Sequence, residues 1–170
     1  MSRVIQDFTT TVPFWQPRVT PIDLDDASKE QREALQVTPS NQKVSEYVLV
    51  LARDAETLKE RTPLFNAIMY NRGGMSRAER ELSATGASVV NHCVYCAAVH
   101  ASRYNQLTKD VTVMERVFAD GATAQLDVRQ SAILQFARKL SRTPPEVTAD
   151  DMQRLRDAGG ESDEILDLIM

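Results

Sequence analysis

The chain has 170 residues, 42% hydrophobic and 26% charged, with a formal net charge of −4 and a mean hydropathy of −0.34. Length and composition point to one globular domain with a buried core. They exclude a membrane span, because no apolar run approaches the roughly 18 residues it needs, and two cysteines exclude a disulfide scaffold.

Basic residues are scattered among acidic ones, so no nucleic-acid partner is expected. Met1 to Asp7 carries no apolar h-region, so no signal peptide is expected and the default compartment is the reducing cytoplasm. There a C-x-x-C pair reads as redox or metal chemistry rather than as structure.

Residues 1–22 hold Pro13, Pro17 and Pro21 with Phe14 and Trp15 between them. Proline removes donors and fixes the backbone, so this stretch reads as an extended N-terminal arm that packs on its own domain or on a neighbouring subunit. A helical domain over 23–170 follows. Asp25-Asp26-Ala27-Ser28 leads into a polar first helix that fades near Val37-Thr38-Pro39. A second helix runs from about Lys43 through the apolar Val48 to Leu51, and a third from about Asp54 to Asn71 with a break or kink at Pro63.

Arg72-Gly73-Gly74-Met75 is a stop, and Ser76 to Glu79 is a capping box that opens the next helix. That helix ends near Asn91-His92. Cys93 begins another, reaching about Leu107. Asp110 caps one that ends at Ala119-Asp120-Gly121, and Asp127 opens one with Ile133, Leu134, Phe136, Ala137 and Leu140 at helical spacing. Thr143-Pro144-Pro145 stops it. Thr148 starts a short helix closed by Gly159-Gly160, and Ser162 starts a last one. No window alternates like a strand, so the fold class is an all-α single-domain bundle of about eight helices.

The chemistry concentrates between Glu81 and His100. At about 100° per residue, Cys96 lies roughly 60° from Cys93 and His100 roughly 40° from Cys96, so the three share one helix face. Two cysteines within one turn can close a disulfide, and the first also feels the positive end of the helix dipole. His100, four residues after Cys96, can take a thiol proton. A histidine base needs an orienting partner, and Glu81 supplies it if the two helices fold back as a hairpin. Zinc on Cys93, Cys96, His100 and His92 is the rival reading, weakened because three of these share one helix face while structural zinc draws ligands from separate turns. Tyr95 and His92 read as supporting or packing residues, and Arg103 and Tyr104 as surface or interface.

The pattern Glu-x11-Cys-x2-Cys-x3-His resembles the signature of the AhpD-like alkylhydroperoxidases of the carboxymuconolactone decarboxylase superfamily. Ser76-Arg77-Ala78-Glu79-Arg80-Glu81 and Asn91-His92-Cys93 resemble its peroxidase-related branch. The likeness is good over the second half of the chain and loose over the first. It implies an all-helical homo-oligomer that reduces small organic hydroperoxides without a bound cofactor or metal, re-reduced by an external dithiol of lipoyl type. It also implies roles: Cys96 attacks peroxide, Cys93 resolves, and Glu81 with His100 forms the proton relay. Tyr95 stands where the well-studied members have a further histidine. The resemblance implies one more apolar, aromatic-rich helix after the last one here. A redox-sensing or disulfide-exchange binding protein on the same fold, with little turnover, is the alternative. A decarboxylase-like enzyme is a third, against which the cysteines argue.

Overall fold

The computed structural model describes residues 6–35 and 44–170, and every regular element among them is helical, with nine α-helices. The expected fading of the first helix at 37–39 and the start of the second at Lys43 lie outside the described residues. No helix among the described residues is long and apolar enough to cross a membrane. The chain divides into two compact units, Phe14–Arg72 and the remainder, which joins the segment up to Pro13 with Gly73–Met170.

In the first unit, α1 (Lys29–Ala34), α2 (Glu46–Leu51) and α3 (Ala55–Tyr70) surround Ala34, Ala52 and Leu58, with Ile22, Leu35, Val48 and Leu51 packed against them. Side-chain oxygens of Ser28, Ser45 and Asp54 cap the three helices. The break expected at Pro63 does not occur: α3 runs through it. Proline deprives the carbonyl four residues back of its donor. Here Lys59 and Pro63 are both exposed residues of α3.

The second unit is built on α4 (Arg77–Val90), which packs along α5 (Val94–Thr108) and against α7 (Val128–Leu140). Around these lie α6 (Thr112–Asp120), α8 (Ala149–Asp157) and α9 (Ser162–Ile169), with a 3-10 turn at Gly121–Thr123. Leu82, Ala101, Met114, Val117, Ile133, Leu134 and Phe136 form the core. Gly86 lets α4 and α7 approach: a Cβ there would meet Leu134 Cδ1 at 3.0 Å.

The start of α4 is fixed from two sides. Ser76 and Glu79 form the capping box. Asp167 of α9 accepts from Met75 N–H at 2.9 Å and from Arg80 Nη2 at 2.7 Å, while Arg80 also donates to the carbonyls of Met75 and Gly73. Gly74 lies against Asp167 with φ +63°, a left-handed conformation that costs other residues roughly 1–2 kcal/mol. Arg129 of α7 bridges Glu79 of α4 and Glu164 of α9.

A further ion pair joins α7 to α8, and it has a pH signature. Lys139 Nζ donates to both oxygens of Asp151, at 2.7 and 2.9 Å, and the Thr148 hydroxyl and N–H donate as well. Burial by itself raises the Asp151 carboxyl, but Lys139 and Thr148 outweigh it and lower it from 3.8 to about 2. A depressed folded-state value stabilises the fold above pH 3.8 and loses that contribution as pH falls toward about 2. Asp151→Asn is expected to cost about 1–2 kcal/mol at neutral pH. The gap to wild type should close across that acid window in paired urea titrations; a gap that persists unchanged at the acid end counts against the ion pair.

Candidate active site

Three residues, Asn91 to Cys93, reverse the chain between α4 and α5. The Asn91 N–H bonds back to Ala87, the His92 N–H to Val89 at 3.2 Å and the Cys93 N–H to Ser88 at 3.0 Å. His92 has φ +53°, in the left-handed region, and its side chain is exposed. It is therefore part of neither helix. The turn lays α5 back along α4, which sets residue 100 beside residue 81.

Cys93 caps α5. Its sulfur accepts the Cys96 N–H at 3.3 Å, in the place an oxygen of serine or aspartate usually takes. Cys93 and Cys96 are joined as a disulfide, with Cα atoms 5.3 Å apart. Tyr95, between them, is half-buried. Ala97, Ala98, Ala101 and Tyr104 form the buried face of α5. That spacing carries Tyr104 into the core at 4% exposure, so it is not the surface residue expected from the sequence. Burial, then the charges of Asp110, Asp127 and Glu79, raise its phenol; the Gln130 amide, donating at 3.2 Å, opposes them.

Glu81, on α4, is 1% exposed. A carboxylate so buried is costly unless paired and hydrogen-bonded. Both of its oxygens are used. Oε2 lies 2.6 Å from His100 Nδ1. Oε1 accepts from Arg77 Nε at 2.8 Å and also from Arg77 Nη2. Arg77 escaped the sequence reading, although its spacing of four residues from Glu81 on one helix is the signal for such a pair.

The structure thus brings together Cys93 with Cys96 and Glu81 with His100, and sets His100 one helical turn after Cys96 on α5. A carboxylate–imidazole pair of this form places the proton on Nδ1 and leaves Nε2 as a base. Beside a dithiol, that arrangement can move a thiol proton. Among the described residues, no three His, Cys, Asp or Glu side chains group as a metal ion would need.

The family model for the carboxymuconolactone decarboxylase family matches residues 55–139, half of the chain. No curated protein matches. Among solved structures, an uncharacterized peroxidase-related protein from Silicibacter sp. TM1040 is 28% identical, with TM-score 0.72 over 89% of this chain and 82% of its own. A second, an alkylhydroperoxidase AhpD core from Ralstonia eutropha JMP134, also peroxidase-related and uncharacterized, is 25% identical, with TM-score 0.78 over 91% of this chain and 83% of its own. The debrominase Bmp8, solved with 2,3,4-tribromopyrrole, is 14% identical, with TM-score 0.69 over 90% of this chain and 81% of its own, and shares the fold.

Proposed function

From the premise that the chain belongs to the carboxymuconolactone decarboxylase family, and to its AhpD-like members, we propose that it is a thiol-dependent peroxidase. Its substrates are small organic hydroperoxides and its reductant is an external dithiol. The observation that carries this reading is a C-x-x-C disulfide whose second cysteine lies one turn before a histidine with its Nδ1 held by a buried glutamate.

The cycle balances in three steps. His100 takes the Cys96 thiol proton, and the Cys96 thiolate attacks the terminal peroxide oxygen. The O–O bond breaks, Cys96 becomes a sulfenic acid, and the leaving alkoxide takes the proton from His100 to give an alcohol. The Cys93 thiol then loses its proton and its thiolate attacks the Cys96 sulfur; the S–O bond breaks, the leaving hydroxide takes up that proton to give water, and the disulfide closes. An external dithiol exchanges with that disulfide, returning two thiols and leaving as a disulfide itself.

A redox sensor or disulfide-exchange protein on this fold is the second reading. Tyr95 favours it, because a phenol stands where the well-studied AhpD-like members have a further histidine. The fold shared with the debrominase carries no activity across at that identity.

The experiment is a turnover assay on the wild type. One equivalent of organic hydroperoxide should convert two free thiols into one intramolecular disulfide, and excess dithiol should sustain many turnovers. Disulfide formation without sustained turnover selects the sensor. Two thiols persisting after peroxide, with no mass change, rule out both readings.

A further inference from the structure

We propose that Arg77 is a positioning residue of the dithiol site: it occupies one oxygen of Glu81 and balances that carboxylate's charge, so that His100 remains free to accept a proton. The use of that proton rests on the peroxidase reading; the charge balance does not.

The two oxygens of Glu81 are divided between two cationic-capable partners. Arg77 places both Nε and Nη2 on Oε1, and among the described residues Oε2 meets His100. Arg77 and His100 are each 22% exposed at the side chain, and Glu81 between them is 2%. This is not the exposed i,i+4 pair that contributes only a few tenths of a kcal/mol, because its acidic member has left water.

Burial makes the arrangement consequential. A carboxylate removed from water needs a compensating positive charge nearby. Without Arg77, the demand of the buried carboxylate for a positive charge would fall on His100. An imidazolium has donors at both nitrogens and no lone pair for a thiol proton. The Arg77 guanidinium stays charged throughout the working pH range. With Arg77 and Glu81 cancelling, His100 can pass between its neutral and protonated forms without leaving either charge unmatched.

The fold holds Arg77 in place for this. It lies in the first turn of α4, directly after the Ser76 cap and three residues before Arg80, which Asp167 anchors. Its forked, planar head can give two N–H groups to one oxygen, which a lysine ammonium on its flexible stem does less rigidly.

The chain's two histidines, His92 and His100, make this testable without any activity. His92 is exposed on the turn and serves as the internal reference. The probe is the 15N spectrum of the imidazole nitrogens in the oxidised, full-length protein, where no thiol competes for the proton. At about pH 7, within the usual imidazole range, Arg77→Met is expected to at least double the protonated share of His100 while His92 stays unchanged. Arg77→Lys, which retains the charge, should stay near wild type. If Arg77→Met does not fold, Arg77→Gln, with a donor but no charge, carries the same comparison. A His100 spectrum unchanged in the uncharged variant overturns the inference, even if activity falls, because Arg77 would then be structural. A wild type without peroxide turnover, in which His100 still responds to Arg77, defeats the peroxidase reading and supports this one.

Discussion

Cys96→Ser is expected to lose dithiol-dependent peroxide consumption entirely, a fall on the order of 10³-fold or more for an enzyme working through a covalent intermediate. Cys93→Ser should instead complete one attack and stop, with a sulfenic acid left on Cys96. The helix dipole argues superficially for the reverse, because Cys93 caps α5 and its sulfur accepts the Cys96 N–H. Thiolate stabilisation at Cys93 suits a resolving residue equally well. It must itself attack as a thiolate, and when the external dithiol opens the disulfide a stabilised thiolate leaves faster. His100 is four residues from Cys96 and seven from Cys93, which puts the proposed base nearer the proposed attacking thiol in the chain. Sulfenic-acid trapping in each single variant decides the matter. A sulfenate at Cys93 in Cys96→Ser, with none at Cys96 in Cys93→Ser, reverses the roles.

Glu81→Gln and His100→Gln are each expected to slow peroxide reduction by at least about tenfold, a part of the roughly 10²–10⁴ that a general base contributes. The two act as one unit through a 2.6 Å contact, so the double variant should be scarcely slower than either single one. Glu81→Gln carries a second consequence. It leaves the Arg77 guanidinium without its carboxylate, and since Arg77 is 22% exposed the cost should be about 1–3 kcal/mol rather than the full penalty of a broken buried pair. Activities therefore need comparison at a temperature where all variants are folded. The direct measure is the rate of thiol alkylation across roughly pH 6–9, a span bracketing ordinary imidazole and thiol values. Identical profiles in wild type and both variants would mean that no relay operates, and that the buried glutamate serves only the fold.

Most of the helical punctuation was legible in the sequence because it is local chemistry. Ser76 with Glu79, Asp127 with Gln130 and Thr148 with Asp151 are capping boxes closed within three residues, so the residue types suffice to locate them. Asp110 caps α6 one position earlier than the helix boundary, through the Thr112 N–H, which the same local reasoning covers. Cys96 and His100 fall one turn apart on α5 because helical periodicity puts them there, and Cys93 meets Cys96 from the N-cap. What sequence alone could not determine depends on which surfaces leave water. Pro63 stands on an exposed stretch of α3, and Tyr104 is buried because its face of α5 is. Glu81 as an isolated letter reads equally as a surface carboxylate or a relay. Only the packing of α4 on α5 buries it, brings His100 to it across nineteen residues, and turns Arg77 from an ordinary helix-surface charge into its counterion. Local residue chemistry locates most helix starts and the thiols that can meet; packing selects which charges are desolvated, and desolvation is what makes a carboxylate demand its partners.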